Sequence, residues 1–362
     1  MIDILVDGTA FCNDSQRGIQ RYYRELFTRA EKNQNIAYFF DEEPVSFFKG
    51  TNDPTVTVRR EHKEHKPKQL VKRTYSALRK RISPTQLPQA KIFQSTFFTR
   101  SPNPSLNEVL TVYDMVPEVM PYSFPGSAEK VAAVKKACIL NATKIIAISN
   151  TTADSILKLY PQVEGRVEVV YLGADHIKET KQGHGDTEIS TPYCLFVGAR
   201  HGYKNFQLVL EAINQKGWPS DLKLVVAGAP LNDLEKTLIR YHGLHDKIIS
   251  LGVVSDEHLS QLYTKASCFI FPSLMEGFGF PILEAQACKT PLICSDIPIF
   301  HEVSGDHAFF FDPMSSTDLV NTINQALGSN QHLDEGFLNV DKFKWDDCAS
   351  QTLKVWDVAV ST

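Results

Sequence analysis

Phe271-Pro272-Ser273-Leu274-Met275-Glu276-Gly277-Phe278-Gly279-Phe280-Pro281-Ile282-Leu283-Glu284-Ala285-Gln286-Ala287 reads as a buried strand end, a glycine-rich turn and the start of a helix. Pro281 suits the first turn of that helix, where its missing N–H costs nothing. Gly277 and Gly279 permit backbone conformations that aim amides at a bound anion. A diphosphate held there would also meet the positive end of the helix dipole. Glu276 in the turn and Glu284 on the helix can line one cleft wall, where carboxylates accept from the paired hydroxyls of a sugar or ribose. A turn cap and a solvated helix residue are the plainer reading of two such glutamates.

The same strand–turn–helix grammar recurs along the chain. Short β-branched or aromatic runs stand at Ile2–Val6, Ile36–Phe40, Thr55–Val58, Lys91–Gln94, Val109–Tyr113, Ile145–Ile148 and Val167–Tyr171. Six more follow at Cys194–Val197, Lys223–Ala227, Ile248–Leu251, Cys268–Phe271, Leu292–Cys294 and Phe309–Phe311. Most are continuous apolar runs, as parallel strands buried on both faces require. Many end in a small or polar turn residue. The fold class is therefore α/β, with doubly wound parallel sheets in Rossmann-like domains.

At 362 residues the chain exceeds the usual size of one core, so two domains are expected. Residues 178–192 are polar and lack apolar periodicity, which marks an interdomain linker. The expected division is a first domain over 1–174, a linker over 175–192, a second domain over 193–344 and a terminal helix over 345–362. In open α/β sheets ligands bind beyond the carboxyl ends of the strands. Two sheets facing across a cleft can then hold one substrate each.

Composition excludes several classes. Hydrophobic residues at 43% and charged residues at 22% are an ordinary globular balance, and a net charge of −4 offers no general attraction for nucleic acid. The seven cysteines are scattered without a Cys-x-x-Cys pair, which points to reduced thiols in the cytosol and away from a disulfide framework or zinc site. No apolar run approaches the length of a membrane span, and the first residues do not read as a signal peptide. The expected location is the cytoplasm, free or peripheral on the inner membrane face.

The Phe271–Ala287 stretch resembles the Glu-x7-Glu signature of glycosyltransferase family 4, whose members are retaining enzymes of the GT-B fold. The likeness extends through Leu251–Tyr263 and Pro291–Val303 and covers essentially all of residues 193–320. In style the Arg17-Gly18-Ile19, Tyr113-Asp114-Met115-Val116-Pro117 and Gly202-Tyr203-Lys204-Asn205 segments look most like bacterial mannosyltransferases and relatives that build surface polysaccharide. The resemblance implies that Glu284 holds the nucleotide ribose, while Glu276 and the amides of Gly277, Phe278 and Gly279 contact the transferred sugar and its phosphates. Backbone near Val254 would meet the base. A nucleoside diphosphate sugar, GDP-mannose foremost, is the implied donor, and a glycan or lipid-linked hydroxyl the implied acceptor.

Tyr193–Asn205 is a second element of the resemblance. Breaking a sugar–diphosphate bond leaves extra charge on the leaving group, and fixed cations can stabilise it without a metal. Arg200 and Lys204 are suited to phosphate oxygens. Lys204 stands where the family lysine does, whereas the family arginine often directly follows the glycine, where this chain has Ala199. No Asp-x-Asp occurs anywhere in the sequence, so neither a metal nor another cofactor is expected.

The first domain is less diagnostic. Arg17-Gly18-Ile19-Gln20-Arg21-Tyr22 resembles the family's opening loop near phosphates and acceptor, with Gln20 in place of a glycine, so Arg17 and Gly18 are candidates. Tyr113-Asp114 occupies the place of the family's His-Asp strand end. Tyr cannot titrate near neutrality as His does, and Asp114 becomes the candidate contact to sugar or acceptor, with a turn cap as the alternative. Thr151-x-x-Asp154 reads as a capping box. Residues 59–81 hold ten Lys or Arg against two Glu, a stretch that could approach anionic lipid or simply be solvated. An epimerase or phosphorylase on the same fold, or a non-catalytic sugar-nucleotide-binding subunit, stays open as an alternative function.

Overall fold

The computed structural model describes residues 3–12, 17–30, 35–40, 56–58, 89–175, 177, 189–200 and 202–362. The basic stretch 59–81 and most of the expected linker lie outside them. Among the described residues thirteen strands form two sheets in which every pairing is parallel. The first sheet holds β1 (Ile4–Asp7), β2 (Ile36–Phe40), β3 (Val56–Val58), β4 (Ile92–Ser95), β5 (Asn107–Val112), β6 (Lys144–Ala147) and β7 (Val167–Val169), in the order β3-β2-β1-β4-β5-β6-β7. The second holds β8 (Tyr193–Val197), β9 (Lys223–Ala227), β10 (Ile248–Gly252), β11 (Cys268–Phe271), β12 (Leu292–Ser295) and β13 (Phe309–Phe311), in the order β10-β9-β8-β11-β12-β13.

All thirteen apolar runs of the sequence become strands. Every residue of β1, β4, β11 and β12 is buried, which is why these runs do not alternate. The edge strands β7 and β10 are only partly buried. Each sheet reverses its direction of growth once, between β1 and β4 and between β8 and β11. Crevices at such reversals receive ligands in open α/β sheets.

The last helix, Trp345–Ser361, returns to the first sheet. Trp356 Nε1 donates to Gln94 Oε1 at 2.8 Å, and Asn107 Nδ2 donates to the Ala359 carbonyl at 2.8 Å. Trp345 packs near Tyr22, with ring centroids 6.3 Å apart. A Cβ on Gly173 would collide with the Trp345 backbone and indole, so glycine is required where the chain leaves the first domain. Packing thus makes the C-terminal helix part of the N-terminal domain, because its two tryptophans find their apolar cover there.

The two domains meet on the helix Asn150–Leu159. Its N-cap is Ser149, whose Oγ accepts from Thr152 N at 3.0 Å. This replaces the Thr151/Asp154 capping box read from the sequence, because Thr151 is engaged elsewhere. Glu302, from the helix Pro298–Ser304 of the second domain, accepts from Asn150 N (2.6 Å), Thr151 N (3.0 Å), Thr151 Oγ1 (2.7 Å) and Tyr171 O–H (2.8 Å). A carboxylate from one domain therefore satisfies the orphan amides of a helix in the other.

Among the described residues no helix is long and apolar enough to cross a membrane. The thiols of Cys138, Cys194, Cys268, Cys294 and Cys348 are buried, and that of Cys288 is partly buried. Burial pushes the thiols of Cys268 and Cys348 up to about 12, so neither is a thiolate near neutrality.

Candidate active site

β8 and β11 flank the reversal of the second sheet, and the loops that follow them carry the candidate donor residues. After β8 the chain turns through Gly198, at φ 113°, and a single turn at Gly202–Lys204. After β11 it runs through Glu276 into the helix Phe280–Ala287, with Gly279 at its N-cap in the left-handed region (φ 109°) and a proline in the first turn. The Leu274 amide donates to the Tyr203 carbonyl at 2.8 Å, tying the two loops together. Lys204 Nζ then lies 2.5 Å from Glu276 Oε1. The ammonium also sits over the Phe271 and Tyr203 rings, 5.5 and 5.1 Å from their centroids. Aromatic faces stabilise a cation without neutralising it.

Glu284 lies one turn into the same helix, where the Tyr263 hydroxyl donates to its Oε2 at 2.8 Å. Burial raises the Glu284 carboxyl above its ordinary range, while the Tyr263 hydrogen bond and the Arg21 charge pull the other way. Arg21 extends from the helix Arg17–Ala30 of the first domain to Asp256 Oδ2 at 3.0 Å, bridging the cleft beside Glu284. Val254 packs against the main core just before the helix Asp256–Lys265, near the positively twisted Gly252 (φ 71°).

The first domain presses against the donor loop at one point. A Cβ on Gly277 would overlap the Tyr113 carbonyl oxygen and lie 2.7 Å from its carbon and 3.0 Å from Asp114 Cβ. The Gly277 carbonyl accepts from Ser149 Oγ at 2.7 Å and Thr152 Oγ1 at 3.2 Å. Across the same gap the Phe124 and Tyr203 rings stack with centroids 5.6 Å apart. The Tyr203 hydroxyl is pushed well above its ordinary value by burial and by the charges of Glu276 and Asp114. Carboxylates from opposite domains thus act on one ring.

The structure brings together Glu276, Gly277, Phe278, Gly279, Lys204 and Asp114. It places Arg200 apart from them. The Arg200 guanidinium forks onto Glu235, with Nε to Oε1 at 2.9 Å and Nη2 to Oε2 at 3.1 Å, and Nη2 also donates to the Pro230 carbonyl. Glu235 in turn completes a capping box with Asn232. The Arg200 side chain is 4% exposed and its Nη1 is buried without a partner. Its geometry is that of a structural ion pair at a helix start, and the leaving-group role expected from the sequence has only Lys204 in place for it here.

Asp114 is the turn cap that the sequence allowed, and it is also open beside the donor loop. Its Oδ1 accepts from Val116 N at 3.0 Å as a turn cap, and its side chain is 40% exposed beside Gly277. Tyr113 points the other way. Its hydroxyl donates to the Thr96 carbonyl at 2.8 Å inside the first core, and burial raises it far above its usual value. It does not take up proton handling in the cleft. Gly18 is exposed with open space around its Cα, and the Arg17 side chain lies outside the described residues. Gln20, where the family has glycine, is buried and donates to the Ala10 carbonyl at 3.0 Å.

Four groups near the cleft escaped the reading of the sequence. Asp7 at the end of β1 accepts from Thr9 N, Thr96 N, Thr96 Oγ1 and Thr99 Oγ1 at 2.7–3.2 Å. Ser149, Glu302 and Lys135 were likewise silent, since each works through a partner far away in sequence. Only Ser149 left a local signal, a serine directly before a helical period.

The architecture is that of the two-domain GT-B proteins. A solved sucrose-phosphate synthase from Thermosynechococcus elongatus superposes over 100% of both chains with a TM-score of 0.70 at 16% identity. Residues 179–335 match the family of glycosyl transferases group 1, so this part of the chain is similar to that family. Among curated relatives, the O-antigen chain mannosyltransferase RfbU of Salmonella typhimurium is 32% identical over 215 residues, 57% of each chain. O-antigen chain mannosyltransferase B of Escherichia coli is 30% identical over 186 residues, 45% of each. The chain spans about half the length of the curated relatives it matches.

Proposed function

We propose that this protein transfers a hexosyl unit, mannosyl from GDP-mannose foremost, to a hydroxyl of a glycan or lipid-linked acceptor, with retention and without a metal. The observation that carries the reading is the Lys204–Glu276 pair at the β8/β11 crevice, set beside the N-terminus of the helix Phe280–Ala287. A partly buried ammonium held by one carboxylate is a cation ready for a second anion. A donor diphosphate would take Lys204 from Glu276, freeing that carboxylate to accept from sugar hydroxyls. Amides of Gly277, Phe278 and Gly279 would face the phosphates at the helix N-terminus. Glu284 would accept from the ribose, and backbone near Val254 would meet the base. When the glycosidic bond breaks, negative charge grows on the departing phosphate, and Lys204 stabilises it more than it stabilised the ground state. The mannosyl assignment rests on the names of the two O-antigen relatives.

The test is a melting-temperature panel across GDP-mannose, UDP-glucose, UDP-N-acetylglucosamine and ADP-glucose. The largest shift is expected with GDP-mannose, since a ligand at about 100 times its Kd stabilises by roughly 2.7 kcal/mol. A larger shift with another donor corrects the sugar or base. No shift with any of them overturns the reading.

Glu284 supplies a pH signature. Only its ionised form accepts two ribose hydroxyls, and burial has moved that ionisation upward. GDP affinity should therefore rise with pH through a range above that of an ordinary carboxylate, about 4.3. Titration calorimetry of wild type and Glu284→Gln separates this step from titration of the GDP phosphates. The step should vanish in the variant, and its survival there would remove Glu284 from the ribose site.

A further inference from the structure

We propose that Lys135 is the positioning residue of the acceptor side, holding Asp114 in register with the donor loop; the inference rests on the transferase reading above. Lys135 lies on the helix Ala128–Asn141 and its side chain is 1% exposed. Its ammonium donates to the Asp114 main-chain carbonyl at 2.9 Å and to Glu118 Oε2 at 2.9 Å. Asp114 Oδ1 is 3.6 Å away, and the Phe98 ring centroid is 5.0 Å away.

A fully buried ammonium costs several kcal/mol to desolvate, and apolar replacement of such a pair is often neutral or stabilising. The inward neighbours on this helix, Ala128, Cys138 and Ile139, are small or apolar, so packing alone does not call for a lysine. What the ammonium supplies is direction. Asp114 follows β5 and precedes the short helix Val116–Val119, where no strand or helix partner fixes its carbonyl. One Lys135 bond holds that carbonyl, and another goes to Glu118, four residues on. Glu118 takes up the lysine charge in a contact that is 5% exposed. The Asp114 carboxylate, at the longer distance, keeps its opening to the cleft.

The preceding carbonyl, that of Tyr113, and Asp114 Cβ abut Gly277. The position of Asp114 relative to Glu276 and Gly277 is thus set by a side chain that touches neither cleft nor substrate. A misplacement on the order of 1 Å in such a group can cost about 10²-fold in rate.

The paired variant Lys135→Met/Glu118→Gln removes both buried charges together, so no orphan charge confuses the result. We expect kcat for mannosyl transfer from GDP-mannose to octyl α-mannoside to fall about 10²-fold. GDP affinity, a property of the other domain, should stay unchanged. Adding Asp114→Asn to this variant should cost nothing beyond Asp114→Asn alone, as expected for residues acting as one unit. Amide exchange across 113–116 should accelerate in the paired variant, a readout independent of any donor. A purely structural Lys135 would leave kcat and the exchange of 113–116 as in wild type, whatever the melting temperature does; that result overturns the proposal. Wild-type protein that cycles no mannose but shows the exchange difference would count against the transferase reading and leave the positioning of Asp114 standing.

Discussion

Lys204→Ala is expected to lower kcat for sugar transfer about 10²–10³-fold, the scale seen when one preorganised stabiliser of developing charge is removed. The effect should fall mainly on kcat. On the proposed reading the donor diphosphate would also meet amides and the helix N-terminus in the ground state, and those remain. In the transition state the departing phosphate would gain charge, and Lys204 is the candidate cation that the structure sets beside the loop that follows β11. Arg200 cannot compensate, because its fork is filled by Glu235 at 2.9 and 3.1 Å. The variant leaves Glu276 partly buried without its cation, so Lys204→Ala/Glu276→Gln is the control for stability. Steady-state kinetics of the two variants, with melting curves alongside, check the result. A kcat close to wild type would reassign the leaving-group cation elsewhere.

Gly277→Ala should be nearly as damaging, for a reason that has nothing to do with charge. The added methyl has no room against the Tyr113 carbonyl and approaches Asp114 Cβ to 3.0 Å. The obstacle is backbone, which cannot rotate away as a side chain can. Overpacking of this kind typically costs 1–3 kcal/mol, and occasionally more. Here the relief available is to part the domains, which breaks the Ser149 and Thr152 bonds to the Gly277 carbonyl. The second domain should keep its fold and bind GDP, while transfer falls at least about 10²-fold because reacting groups no longer meet. Small-angle scattering should report a larger radius of gyration than wild type. An unchanged radius with unchanged activity would show that the donor loop and Tyr113 are not held in this contact.

The contrast between these two residues shows how far the sequence carries. Glu276, Gly277, Gly279, Lys204 and Glu284 lie in two segments whose strand–turn–helix pattern is local, and the structure places both segments at adjacent strand ends. The strands were legible because burial on both faces demands unbroken apolar runs, a demand visible without any partner. The partner of Arg200 was hidden for the opposite reason. A guanidinium near a phosphate loop suits a leaving group, but Glu235 lies 35 residues away, and nothing local announces that pairing. Tyr113 is a similar case: its hydroxyl turns into the core toward Thr96, which a strand-end position does not foretell.

By itself the sequence determined two parallel α/β domains and a loop with glycines and carboxylates at the mouth of one sheet. Each of these follows from short-range rules of turn geometry, helix starts and apolar period, which act within a few residues. The tertiary structure alone decided which carboxylate meets Lys204, that Glu302 caps a helix of the other domain, that the last helix returns to the first sheet, and that Lys135 stands behind Asp114. Those outcomes depend on which surfaces exclude water from one another across the fold, and desolvation of a charge selects its partner only once both have been brought to the same place.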